Sequence, residues 1–227
     1  MSVQLKWGLR LLWWAVLALA LAPLMLAQET VFLLGEESGP IEQGSVWVWL
    51  VAAVWTLGRT MRAQRLLPLA FVLVKVLMGV REAGLPPDLV PSGKALLTWR
   101  YYVDAAVDPL RRAITGVLLL IFLAALVTSV VSTLRYLWRE QGWRRPDGQF
   151  LTIAFGLLVT AQLAERWAGH QSSSATDVWT LWALMFEEGL ECLAGVFTLA
   201  ASSLRGWWVF RPLPQAMHAA EPRPSQA

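Results

Sequence analysis

Long apolar stretches alternate with short polar ones along most of the chain. A helix that crosses a bilayer needs about 20 mostly apolar residues, and several stretches approach that length. They lie at about residues 9–27, 41–58, 66–83, 113–136, 150–168 and 178–204. Residues 11–27 and 113–134 contain no charged side chain. The pattern predicts an all-α, polytopic membrane helix bundle with about six transmembrane helices.

Composition supports this fold class. Of the 227 residues, 56% are hydrophobic and only 15% are charged, whereas about 25% of an ordinary soluble domain is charged. The single cysteine, Cys192, excludes a disulfide scaffold. The net charge of +3 comes from cations beside the apolar stretches, which is typical of membrane topology signals. We therefore expect the lipid bilayer as the partner, and no nucleic acid.

The distribution of Lys and Arg predicts the orientation. In a six-span bundle, the ends of the apolar stretches divide into two sets, one for each side of the membrane. One set carries twelve cations and three acids, and the other carries six cations and ten acids. Cytoplasmic loops are enriched in Lys and Arg, so both termini are predicted to be cytoplasmic, which requires an even number of spans. Residues 1–211 form the six-span domain, and the proline-containing residues 212–227 form a disordered cytoplasmic tail.

The first stretch also resembles a signal peptide, because Lys6 and Arg10 precede it. However, the stretch is long for a signal peptide, and Met25 stands where a small residue precedes a cleavage site. We favour a retained first span, with cleavage as the alternative; the orientation of the other spans is the same in both cases.

Three acids inside the last stretch are the most informative polar residues. If this helix enters the membrane near residue 178, Glu187 lies about 14 Å deep and Glu191 about 20 Å deep. Each ionised carboxylate near the bilayer centre costs about 2.5–3.5 kcal/mol. Glu187 and Glu191 share a helix face, and Glu188 lies beside it. These acids must face the bundle interior, with one or more protonated or with a cation among them.

Other charged residues are predicted to share the outer half of the membrane with these acids. Lys75 lies inside the third stretch, and Arg81 and Glu82 lie at its outer end. Glu42 begins the second stretch, Glu165 ends the fifth, and His170 is placed in the loop that follows. The leading hypothesis is a single site for a proton, a cation or a small polar ligand. Its residues are Lys75, Glu82, Glu187, Glu188 and Glu191, with Glu42 and Arg81 at the rim.

Three short motifs carry a resemblance to known proteins. They are Gly35-Glu36-Glu37-Ser38-Gly39-Pro40-Ile41-Glu42 before the second stretch, Arg81-Glu82 after the third, and Glu187-Glu188-Gly189-Leu190-Glu191 in the last. Together they resemble a loose group of small bacterial multipass membrane proteins of unknown function. The resemblance carries no activity. It implies a bacterial cytoplasmic (inner) membrane location and a shared role for the acids.

Two alternatives to a binding or transport site remain open. In the first, Lys75 and Arg81 neutralise the glutamates in a structural polar network, or the chain is an accessory subunit that meets a second copy or a membrane partner protein. In the second, Glu187, Glu191 and His170 bind a metal in a membrane enzyme, although the Glu-x-x-His spacing of carboxylate-bridged centres is absent. No nucleophile elbow, phosphate loop or HExxH motif occurs. The sequence therefore favours a non-enzymatic protein, assigns no catalytic residue and leaves any cofactor unknown.

Overall fold

Helices make up almost all of the structure. The computed structural model describes residues 3–35, 39–63, 67–83, 101, 107–171, 178–204, 207 and 209, and these include no strand. The all-α fold class is thus confirmed. The described helices are α1 (Val3–Met25), α2 (Gln28–Gly35), α3 (Pro40–Ala63), α4 (Leu67–Glu82), α5 (Pro109–Arg139), α6 (Pro146–Gln171) and α7 (Val178–Ser203), with a 3-10 turn at Gly142–Arg144.

Most of these helices extend beyond the apolar stretches of the sequence. Helix α5 begins where the Asp108 side chain accepts hydrogen bonds from the backbone N–H groups of Leu110 and Arg111, a typical N-cap. Helix α6 continues to Gln171, so His170 belongs to this helix and not to a following loop, as the sequence analysis had placed it. Backbone hydrogen bonding continues past the last apolar residue, which hydropathy alone does not reveal.

The short helix α2 was not predicted, because its eight residues are too few to span a bilayer. The predicted tail at 212–227 and the acids Glu36 and Glu37 lie outside the described residues.

Helix α7 occupies the centre of the packing. It contacts α6, α3, α2 and α1, while α3 also packs on α4 and α4 on α5. The main core joins α3, α6 and α7, with Trp49, Phe150, Leu157, Leu190 and Phe197 among its buried side chains. Because α7 has neighbours on several sides, it can bury polar residues on more than one face.

Two helices among the described residues are long and apolar enough to cross a membrane. They are Pro109–Arg139, which is α5, and Pro146–Trp167, which is most of α6. Helix α4 has 16 residues and is therefore about 24 Å long, shorter than the hydrocarbon core of about 30 Å. By length and composition the structure thus supports two of the six predicted spans.

Candidate functional site

An ion pair joins the end of α4 to the middle of α7. Arg81 Nη2 donates a hydrogen bond to Glu191 Oε1 at 2.9 Å. The Glu191 side chain is 1% exposed and the Arg81 side chain is 47% exposed. Charge-assisted hydrogen bonds of this length are about twice as strong as neutral ones, although burial of the carboxylate offsets part of the gain. The pair therefore holds Glu191 at a defined position beneath a partly exposed cation.

Two more acids meet the same guanidinium group. Arg81 Nε lies 4.0 Å from Glu82 Oε1, and Arg81 Nη2 lies 4.0 Å from Glu187 Oε1. Both carboxyl groups are buried. The Glu82 carboxyl also has the Glu191 carboxyl as an electrostatic neighbour. Two ionised carboxylates repel each other, so their proximity is least costly when one of the two carries a proton.

Three further acids surround this centre. Glu188 has Glu191 and Glu42 as electrostatic neighbours, and its Oε2 atom is buried without a hydrogen-bond partner. Glu165 of α6 interacts electrostatically with both Arg81 and Glu187. We call the whole group the carboxylate cluster, and it consists of Arg81 with Glu42, Glu82, Glu165, Glu187, Glu188 and Glu191. Six of the seven residues of the hypothesised site belong to it.

Gln162 was missed by sequence reasoning. Its side-chain amide donates to Glu165 Oε2 at 2.9 Å and to Glu191 Oε1 at 3.4 Å, and an amide nitrogen carries two hydrogens that can serve both acceptors. Gln162 is a polar residue within the fifth apolar stretch, three positions before Glu165. That spacing places the two side chains on one helix face, and it is the signal that would have found this residue.

Lys75, in contrast, is separated from the cluster. Its amino group donates to Thr56 Oγ1 at 2.7 Å and lies 5.1 Å from the centre of the Trp207 ring. The Thr56 hydroxyl itself donates to the Ala52 carbonyl oxygen, so it is correctly oriented to accept from Lys75. Lys75 is 2% exposed. Within the described part of the chain it forms no ion pair.

The position of Lys75 along α4 explains this separation. Glu82 follows Lys75 by seven residues, which places them on one face but about 10 Å apart along the helix axis. Arg81, only one residue from Glu82, reaches the acids instead. The expectation that Lys75 helps to neutralise the glutamates is therefore not met by this geometry, and Arg81 alone takes that position among the described side chains.

The donor set of the cluster is poor for a metal. Among residues with described positions, no group of three His, Cys, Asp or Glu side chains is arranged to hold a metal ion. Glu187 and Glu191, two of the predicted metal ligands, face the Arg81 guanidinium. The free Cys192 is half-buried and has Glu82 and Glu188 as electrostatic neighbours.

Comparisons with known proteins do not assign a function to the carboxylate cluster. No protein-family model matches the chain, and no match is found among curated proteins or solved structures.

Proposed function

We propose that the chain is a multipass protein of a bacterial inner membrane, with six spans and both termini in the cytoplasm. The exposure of α5 supports this environment. Its most apolar window is only 11% buried, and large side chains such as Ile114, Leu118 and Leu120 are exposed. Apolar area left in water costs about 25 cal/mol per Å², and soluble proteins rarely expose such continuous surfaces. Lipid is the solvent that suits this helix.

Within that environment, the carboxylate cluster is proposed to bind a proton or a small cation. The observation that carries this proposal is the excess of acid over base, since one guanidinium group faces several carboxyl groups and Glu188 Oε2 is buried without a partner. An isolated buried carboxylate is strongly disfavoured. The surplus acids therefore hold protons or attract cations, and ionisable groups inside a membrane often mark a path for protons or ions.

Infrared difference spectroscopy on protein in a zwitterionic bilayer tests this function. The C=O stretch of protonated carboxyl groups is recorded while sodium or potassium chloride is added, with choline chloride as the ionic-strength control. We expect the protonated-carboxyl band to decrease with the small cations, as protons are exchanged. If only protons bind, the band responds to pH and not to sodium or potassium.

Glu188→Gln is the informative variant because it removes the acid whose buried oxygen has no partner. It should change the infrared band while leaving the Arg81–Glu191 ion pair intact. Glu29→Gln, an exposed acid of α2 outside the cluster, is the matched control and should behave as wild type. A wild-type spectrum that responds to neither cations nor pH would exclude the proposed site.

A structural role is the second candidate, and the Arg81–Glu191 hydrogen bond between α4 and α7 favours it. Polar contacts between helices are common determinants of packing in membranes. In that case Glu191→Gln lowers thermal stability in detergent, and Glu188→Gln leaves the infrared response unchanged. Unchanged stability of Glu191→Gln together with a lost cation response would favour the binding site.

A further inference from the structure

The connection between α5 and α6 is a tightly packed turn. The Tyr136 hydroxyl donates to Asp147 Oδ1 at 2.9 Å, and both residues are buried. A Cβ atom on Gly142 would collide with the Tyr136 ring, and one on Gly148 would collide with the Gly142 carbonyl oxygen. Gln141 has a left-handed backbone with φ of 51°. These contacts restrain the backbone of the turn and therefore the directions in which its exposed side chains leave the backbone.

Exposed arginines dominate the surface of this turn. We call residues 135–147 the arginine turn, and its exposed cations are Arg135, Arg139, Arg144 and Arg145. The two acids of the same segment are Glu140, which is exposed, and Asp147, which is buried against Tyr136. Within the described structure, none of the four arginines forms an ion pair with an acid. Their guanidinium groups can therefore meet an external anion.

Two indole side chains accompany the arginines. Trp138 is 79% exposed, and Trp143 is also exposed. The Arg144 guanidinium lies 4.7 Å from the centre of the Trp143 ring. Indoles prefer the level of the lipid headgroups, so the arginines beside them face the phosphodiester groups of the same layer.

We propose that the arginine turn is a binding site for the headgroup of an anionic phospholipid. This inference rests on the proposed membrane placement of α5 and α6. Guanidinium groups bind phosphate oxygens through paired hydrogen bonds, and anionic lipids attract each basic residue close to the membrane surface. Because the turn is fixed by buried contacts, it binds the headgroup as a built site and not only as a diffuse positive charge.

A lipid fits this surface better than a soluble polyanion. The turn directly follows the exposed apolar surface of α5, where Val131 and Leu134 are exposed. An acyl chain can pack there while the headgroup meets the arginines above it. A nucleic acid or free phosphate would use the guanidinium groups but would leave this adjoining apolar surface unused.

Native mass spectrometry of the detergent-solubilised full chain tests the site. The probes are phosphatidylglycerol and phosphatidylcholine with identical acyl chains. We expect roughly tenfold tighter binding of phosphatidylglycerol, and loss of most of that preference in the double variant Arg139→Gln/Arg144→Gln. The matched control, Arg111→Gln/Arg166→Gln, removes the same charge from the opposite ends of the same helices and should keep the preference.

Tyr136→Phe separates a built site from general attraction. It removes the hydroxyl that bonds to Asp147 but retains all four arginines. We expect the preference for phosphatidylglycerol to fall severalfold, while circular dichroism reports an unchanged helix content. If Tyr136→Phe keeps the full preference, or if both double variants lose it equally, diffuse charge is sufficient and the proposed site is wrong.

Two competition results would also overturn the lipid assignment. Displacement of phosphatidylglycerol by inorganic phosphate would identify a simple anion site, and displacement by a short RNA would identify a nucleic-acid surface. The infrared test of the carboxylate cluster uses a bilayer without anionic lipid, so its outcome is independent of this turn. Failure of one proposal therefore leaves a clear result for the other.

Discussion

Arg81 and Lys75 are both basic residues of α4, and each meets a different kind of partner. Arg81 contacts carboxyl groups on α4 and α7, whereas Lys75 contacts a threonine hydroxyl and an indole ring. A buried ion pair is costly to break from one side only. A buried ammonium group without an acid is instead disfavoured by its own desolvation. The two residues should therefore respond differently to substitution.

A double-mutant cycle measures the Arg81–Glu191 interaction. The variants are Arg81→Gln, Glu191→Gln and the double substitution, and the measurement is the free energy of unfolding in mixed micelles. We expect a coupling energy of about 1–2 kcal/mol, because the hydrogen bond is charge-assisted but Arg81 is half-exposed. A coupling below about 0.5 kcal/mol would mean that the pair does not hold α4 against α7.

Lys75→Met should leave the free energy of unfolding within about 1 kcal/mol of wild type, or raise it. The substitution retains most of the bulk of the side chain and removes the desolvation cost of a buried charge, which offsets the loss of the hydrogen bond to Thr56. It should also be additive with Glu191→Gln, since Lys75 does not contact the cluster. A large loss of stability, coupled to Glu191→Gln in the same unfolding assay, would instead place Lys75 in the acid network.

The sequence predicts which residues form the site better than it predicts which contacts those residues make. Charged residues within apolar stretches, such as Glu191, are visible because they are costly there. The partner of Lys75 depends on the position of α4 along the axis of α3. This relative position of two helices cannot be predicted from a single sequence. Gln162 was overlooked because a neutral amide within an apolar stretch resembles an ordinary tolerated polar residue.

At the scale of elements, the turn between α5 and α6 is constrained by backbone packing. The space around Gly148 is closed by the Gly142 carbonyl oxygen, whereas Gly156 in the same helix has no neighbour within 4 Å of an added Cβ. Two glycines of one helix therefore differ in their tolerance of a methyl group.

Gly148→Ala and Gly156→Ala test this difference. We expect Gly148→Ala to lower the free energy of unfolding by about 1–3 kcal/mol, because backbone atoms must move to admit the methyl group. Gly156→Ala should raise it by up to about 1 kcal/mol through helix propensity. Thermal unfolding followed by circular dichroism measures both. Equal effects of the two substitutions would show that the turn is not closely packed.

The existence of the long helices was predictable because each contains a long apolar stretch. Their ends were less predictable, since caps and backbone hydrogen bonds determine them. The Asp108 side chain caps the N-terminus of α5, several residues before the apolar stretch of that helix begins. At the end of α7, the carbonyl oxygens of Ser202 and Leu204 accept hydrogen bonds from Arg59. The Arg59 contacts join residues far apart in the chain, and periodicity cannot report them.

At the scale of the whole molecule, the proposed orientation distinguishes the two ends of α5 and α6. The arginine turn lies at the end predicted to be cytoplasmic, and Glu165 of the carboxylate cluster lies toward the other end of α6. In this orientation the two proposed sites lie on opposite sides of the bilayer.

Cysteine labelling in intact cells tests the orientation. In a Cys192→Ala background, a membrane-impermeant maleimide should label Arg166→Cys from outside and should label Arg139→Cys only after the cells are permeabilised. Both substituted positions are exposed, so access depends on the membrane and not on burial. The opposite pattern would invert the topology, and labelling of both positions from outside would mean that α6 does not cross the membrane.

The turn shared by α5 and α6 has a mechanical consequence. Helix α5 packs on α4, which carries Arg81, and α6 packs on α7, which carries Glu191. Glu165 follows Pro146 by 19 residues, so α6 is a lever about 28 Å long between the turn and the cluster. A change of about 5° at the turn would displace the far end of α6 by about 2.5 Å, enough to break the 3.4 Å hydrogen bond from Gln162 of α6 to Glu191 of α7. The stiffness of one short turn therefore limits how far α6 can move away from Glu191.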